Sequence, residues 1–230
     1  MLASMWENLP LLLPGAWNTL SVSVLSMAIA LLIAFAVGLS RLSRSRLVAF
    51  LSLSYIEVWR GVPMIITILF TYFALPRLLR GLVRLDLDSF SAMLIACVLW
   101  TSANAAEVVR GAVQAIPFGQ SEAAEALGMS YLQRMRLVIM PQAVKIMLPP
   151  LIGIFNLLLQ GTAIGFMIEY RELVRVGQIT IERLVMAGNR NASIEIYTLV
   201  MILYFVMCYP LSKLSSHLER KLAVGRPAVN

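Results

Sequence analysis

The sequence predicts an all-α, polytopic membrane protein, and three observations carry that prediction. Of its 230 residues, 60% are hydrophobic and only 13% are charged, against about half and about a quarter in soluble domains. Uncharged runs of membrane-crossing length recur, Leu20–Leu39 and Ile146–Ile168 being the clearest. A hydrocarbon core of about 30 Å needs roughly 20 such residues at 1.5 Å rise. The charges gather between these runs and leave their centres empty.

Five spans follow in order. The first covers 18–40, because Pro10, Pro14 and Gly15 break the uncharged stretch before it and the basic turn Arg41–Arg46 ends it. Residues 1–14 form an N-terminal segment without an evident cleavable leader, since Glu7 lies in it and a basic start is lacking. The second span, 55–76, is irregular. Glu57 and Arg60 interrupt it, Gly61 and Pro63 follow, and the uncharged run Gly61–Pro76 has 16 residues, about 24 Å of helix. An interfacial helix from about Leu47, a kink at Gly61–Pro63 and then a short crossing is the expected path. After the polar connection Arg77–Asp88 comes the third span, 89–107. It runs into Glu107-Val108-Val109-Arg110-Gly111, an echo of Glu57-Val58-Trp59-Arg60-Gly61. Both place a structural i,i+3 ion pair before a glycine, as suits a helix end at the bilayer surface. The fourth span, 146–168, is broken by Pro149, Pro150, Gly153, Gly161 and Gly165 and carries Asn156, Gln160 and Thr162. A charged extramembrane segment, Glu169–Glu195, leads to the fifth span, 195–212, and a basic tail whose last part is 219–230.

Five crossings put the termini on opposite sides. Twelve of the 19 basic residues then share the side of Arg41–Arg46, Arg134, Arg136, Lys145 and the C-terminal tail, and seven lie opposite. The positive-inside rule places the C-terminus in the cytoplasm and the N-terminus outside. The net charge of +7 is thereby explained without nucleic acid. Cys97 and Cys208 sit inside apolar runs without metal-site spacing, and His217 is the one histidine. No nucleophile or metal constellation is present, and no Gly-x-x-x-x-Gly-Lys-Ser/Thr phosphate loop. Catalytic residues, metal ligands and cofactors are therefore assigned to none of this chain, and any ATP chemistry falls to another subunit. A secondary transporter or channel would more typically bury ionisable groups in mid-span as a relay, and none is found there.

The exception to this oily pattern is 117–142, around Gln120–Gln142. Ser121 suits a helix N-cap with Glu122 in the first turn, Gly128 the left-handed residue after that helix, Ser130 and Gln133 a capping box, and Pro141 the end of a second helix. A helix–glycine–helix elbow is expected, on the cytoplasmic side.

Glu122-Ala123-Ala124, Gly128 and Val138-Ile139-Met140-Pro141 resemble in spacing the EAA loop of bacterial ABC-importer permeases, with Val138 and Met140 as mild departures. Tyr55-Ile56-Glu57, Arg60-Gly61-Val62-Pro63, Glu107, Arg110-Gly111, Ile116-Pro117, Gly119-Gln120, Pro141-Gln142-Ala143 and Leu148-Pro149-Pro150 are similar to the polar amino acid subfamily, and the likeness runs from about Gly15 to Leu218. The subfamily's Lys/Gln-Asp/Ser-Thr/Ser triplet is here Gln160-Gly161-Thr162. The resemblance implies the five-helix type I ABC importer permease fold over 15–218, in the bacterial inner membrane. It implies a second permease chain, identical or homologous, a dimer of ABC ATPase subunits on the cytoplasmic face, and an extracytoplasmic amino-acid-binding protein. The elbow then becomes a coupling helix, with Glu122, Ala123, Ala124, Glu125, Gly128 and Pro141 engaging the ATPase. Asn156, Gln160 and Thr162 are the polar intramembrane candidates for the solute path, with helix–helix hydrogen bonding as the plainer alternative. Asn156 and Gln160, four apart, share a helix face, and Thr162 is displaced from it.

Overall fold

The computed structural model describes the backbone of residues 2–80 and 86–223. Every regular element among these is helical. The parts of the Arg77–Asp88 connection and of the C-terminal tail numbered 81–85 and 224–230 lie outside the described residues, as do the side chains of 1–6 in the N-terminal segment. The order is α1 (Leu2–Ser40), α2 (Arg46–Gly61), α3 (Met64–Leu79), α4 (Ser89–Gln114), α5 (Phe118–Ala126), α6 (Tyr131–Ile168), α7 (Leu173–Met186) and α8 (Ala192–Ala223).

Four helices, α1, α4, α6 and α8, are long and apolar enough to cross a membrane, and α2–α3 is a bent pair that makes up to five. Helix α4 is the axis of the bundle. Its inward residues are small, Ala92, Ala96, Ala103, Ala105, Ala106 and Ala112 all being buried. Small side chains let neighbouring backbones approach, the main source of packing energy where lipid removes the hydrophobic drive between helices. One cluster joins Val22 of α1, Met64 and Ile68 of α3, Met93 and Cys97 of α4 and Leu158 of α6. A second, nearer the elbow, joins Ala34, Ile56, Ala106, Val109, Met147 and Leu151. A third holds α7 and α8 against Leu12 and Ala16 of α1. The exterior is apolar, with Leu32 and Met201 mostly exposed, as lipid contact requires.

The structure bears on three boundaries expected from the sequence. Helix α1 runs unbroken through Pro10 and Pro14 and is 39 residues long, although a break was expected before Asn18. Prolines are tolerated in membrane helices where neighbours re-satisfy the freed carbonyls. Gly15 permits rather than interrupts, since a Cβ there would lie 2.9 Å from Leu173 Cα of α7. The expected kink at Gly61–Pro63 is present, the axis turning by 103° between α2 (ending at Gly61) and α3 (starting at Met64), so 55–76 is not one straight helix. Met64–Leu79 packs on α4 where Thr71 Oγ1 donates to Ala92 O at 3.3 Å, and α2, turned away from α3, packs on α4 nearer the elbow through Tyr55 and Ile56. Finally, Pro141 does not end a helix. Met135–Ile139 is a π segment that passes directly into Met140–Gly161, so the helix that carries the fourth span begins at Tyr131. Met140 N–H already reaches back five residues to Met135 O, and this widened turn absorbs a proline that lacks an N–H. The same device recurs in α3, where the π segment Phe70–Ala74 precedes Pro76.

Candidate functional site

The elbow is built from α5, a left-handed turn and the first turns of α6. Ser121 does not cap α5; the helix starts at Phe118 with Pro117 at the cap position, which leaves Glu122 beyond the first turn. Proline's fixed φ suits a helix entrance where donors are unpaired in any case. The other end follows the sequence closely. Gly128 has φ +77°, Gly128 N–H donates to Glu125 O at 2.9 Å and Met129 N–H to Ala124 O at 3.1 Å. These two bonds make a Schellman motif, which only glycine enters without strain. The capping box that opens α6 is complete: Ser130 N–H donates to Gln133 Oε1 at 2.8 Å and Gln133 N–H to Ser130 Oγ at 3.4 Å. Arg134 Nη1 donates to Glu125 Oε2 at 2.6 Å and ties the two arms together, a contact that sequence spacing did not single out.

The candidate coupling residues divide by orientation. Glu122, Ala123 and Glu125 are exposed on α5, and Gly128 and Pro141 are exposed on the turn and on α6. Ala124 is turned inward and buried, so it seats α5 on the start of α6 and does not face outward. The elbow thus presents a carboxylate-bearing face on a nine-residue helix fixed to a 38-residue one.

The two predicted ion pairs have different outcomes. Arg110 Nε donates to Glu107 Oε2 at 2.9 Å, and its Nη1 meets Gln114 Oε1. Gly111 does not end that helix, which continues to Gln114. Glu57 and Arg60 form no ion pair: among the described residues the pairs are 107–110, 125–134 and 169–175. Both side chains are exposed on α2.

The polar residues of α6 diverge as well. Asn156 Nδ2 donates to Ser212 Oγ of α8 at 3.0 Å, the plainer helix–helix role. Its Oδ1 is buried without a partner. Gln160 is exposed and borders an open surface hollow of about 350 Å³ with Ala163, Tyr204, Phe205 and Cys208. Thr162 is fully buried and donates to Leu159 O at 2.7 Å. Thr101 is buried without a partner and Asn104 bonds to Trp100 O. Gly161 stands where α6 tightens into a 3₁₀ turn, Thr162–Ile168. A Cβ at Gly161 would lie 2.5 Å from Met64 Sδ, so the departure from the triplet makes room for the first residue of α3.

A feature at the other end escaped the sequence reading. Glu172 is fully buried and caps α7 by accepting from Val174 N–H and Arg175 N–H, both at 2.7 Å. Tyr204 Oη of α8 donates to it at 3.2 Å, while Tyr170 Oη donates to Asn18 O and Leu173 N–H to Thr19 Oγ1 of α1. Among Glu169, Arg171 and Arg175 it looked like one more solvated charge; its place directly before the apolar run Leu173-Val174 was the available signal. Burial pushes its carboxyl up to about 7, against the capping N–H groups and the tyrosine hydroxyl, which favour the ionised form. The folded state therefore holds a proton that the unfolded chain releases near pH 4.5, and this contribution is present below pH 4.5 and lost as pH rises through about 7. The melting temperature should fall between pH 5 and 8, and Glu172→Gln should flatten that slope. An unchanged slope in the variant would assign it to another group.

Among the described residues, an all-helical bundle with one capped elbow and up to five candidate spans defines the class as a multi-pass helical membrane protein. The sequence profile of the family described as binding-protein-dependent transport system inner membrane component matches residues 26–224, and the chain belongs to that family. It is 36% identical over 222 residues to the glutamine transport system permease protein GlnP of Escherichia coli K12, covering 96% of this chain and 97% of that protein. To the glutamate transport system permease protein GluD of Corynebacterium glutamicum it is 34% identical, covering 95% and 77%. An amino acid ABC transporter crystallised with histidines superposes with a TM-score of 0.82 at 33% identity, covering 95% and 97%. The MetNI methionine ABC transporter in an inward-facing conformation shares the fold at a TM-score of 0.70 and 20% identity, covering 92% and 98%. The fold is that of the type I ABC importer permeases, and the chain is an inner-membrane transport component.

Proposed function

We propose that this chain is the permease subunit of an ATP-driven importer, that its cargo is a polar amino acid, and that an extracytoplasmic binding protein delivers it. The observation that carries the mechanism is the elbow: an exposed carboxylate-bearing helix, locked by a Schellman turn and the Arg134–Glu125 pair, in series with α6. A dimer of ABC ATPase subunits docks on Glu122, Ala123 and Glu125. Their closure moves α5, and continuity through the π segment passes the displacement along α6 as one body. A second permease chain, identical or homologous, completes the pathway. The elbow and C-terminal tail face the cytoplasm and the N-terminus faces outward, in keeping with the basic excess at the elbow end. No nucleotide site or cofactor is assigned to this chain.

The amino acid cargo rests on relatives named for glutamine and glutamate. Within the spans, Gln160 is the path residue we carry forward, because it is exposed beside an open hollow; Asn156 bonds to α8 and Thr162 is buried against its own helix. Gln160→Leu should lower the transport rate or change the preferred amino acid at least several-fold with normal membrane insertion, and unaltered kinetics would remove the path from this face. The overall reading is tested in proteoliposomes containing the chain and the ATPase that co-purifies with it. With binding protein present, labelled glutamine, glutamate or histidine should accumulate only with ATP. Flux without ATP would favour a secondary transporter or channel.

A further inference from the structure

We propose that the turn 41–46 and the outer face of α2 form a docking site for an anionic phospholipid in the leaflet at the elbow end. Helix α2 is turned 103° from α3. Its inner face is held by Ser52 and Ile56, both buried, and by a 2.6 Å hydrogen bond between Tyr55 Oη and Ser102 Oγ of α4. The outer face carries Leu47, Phe50, Leu51 and Val58, each more than half exposed. Their spacing of three, four and eleven residues from Leu47 sets them in one stripe. Among the described residues no other helix covers it.

Arginines cluster where the stripe begins. Arg44 and Arg46 are exposed and enter no ion pair or hydrogen bond among the described residues. The one carboxylate of α2, Glu57, is eleven residues farther along the helix than Arg46. A surface helix with an apolar outer stripe and unpaired cations at one end matches the pattern of interfacial helices: the stripe sits among acyl chains and the guanidinium groups meet phosphate. A zwitterionic headgroup brings its own ammonium to those arginines, whereas an anionic one leaves its phosphate charge free, so the site selects anionic lipid.

The test uses native mass spectrometry of the full chain, purified with the subunits that accompany it and exposed to equal phosphatidylglycerol and phosphatidylcholine. The parent should retain phosphatidylglycerol preferentially. Arg44→Gln with Arg46→Gln should reduce that preference by roughly five-fold per arginine removed. A control with Lys213→Gln, Arg220→Gln and Lys221→Gln in α8 should retain it. Equal retention of the two lipids by the parent, or an equal loss in the control, overturns the proposal. So does a disulfide between two copies through Phe50→Cys that the parent does not form, since the stripe would then be covered by a second chain.

Discussion

Gly128→Pro is expected to reduce ATP-dependent uptake to background while the chain still inserts into the membrane and brings down its ATPase. Proline cannot adopt φ +77°, and it removes the N–H that closes the turn on Glu125 O. The loss is about 3 kcal/mol or more at that point, enough to unmake the junction between α5 and α6. Nothing lies within 4 Å of a Cβ at this glycine, so Gly128→Ala has only the left-handed backbone against it, about 1–2 kcal/mol, and should keep part of the activity. Two alanine variants separate docking from folding. Ala123→Asp places a charge on the exposed face and should weaken the ATPase complex with the chain intact. Ala124→Asp buries a charge inside the elbow and should lower chain stability as well. Normal uptake by Gly128→Pro would remove the elbow from the coupling mechanism.

Gly38→Val is expected to have the largest effect on the fold. A Cβ at Gly38 would stand 2.6 Å from the carbonyl oxygen of Ala106 and 3.0 Å from Val109 Cβ. Because the obstacle is the backbone of the central helix, relief requires α1 to back away from α4, opening the cluster of Ala34, Ala106 and Val109. Overpacking of a tight interior costs about 1–3 kcal/mol, and a backbone obstacle belongs at the upper end. The measurement is the yield of monodisperse protein after mild heating in detergent, which should drop well below that of the parent. Gly111→Val, where a Cβ meets open space, is the matched control. Equal heat resistance of the two variants would show that α1 can yield at this point.

The elbow was legible because its determinants are local. Gly128 and the Ser130–Gln133 box act within five residues of themselves, and the structure reproduces both. Local reasoning failed at prolines. Pro10 and Pro14 read as breakers, and Pro141 as a helix end, yet all three sit inside continuous helix. Where a backbone donor goes missing, the outcome depends on what lies nearby, including a π turn five residues wide, and no window of sequence reports that. The Glu57–Arg60 pair failed for a related reason: i,i+3 spacing permits contact without requiring it, and both side chains are exposed on α2, where an ion pair is worth little.

By itself the sequence determined that the chain crosses a membrane several times, that its charges fall between the crossings, and that one polar elbow interrupts them, since hydropathy and capping are properties of neighbouring residues. Only the tertiary structure decided which way each polar group faces. It turned Ala124 inward and Ala123 outward, Asn156 toward Ser212, and Gly161 under Met64. It also converted Glu172 from one charge among several into a buried tie between α7 and α8. Those choices depend on contacts between residues up to about 150 positions apart, such as Asn18 with Arg171, and on how closely small side chains let helices approach.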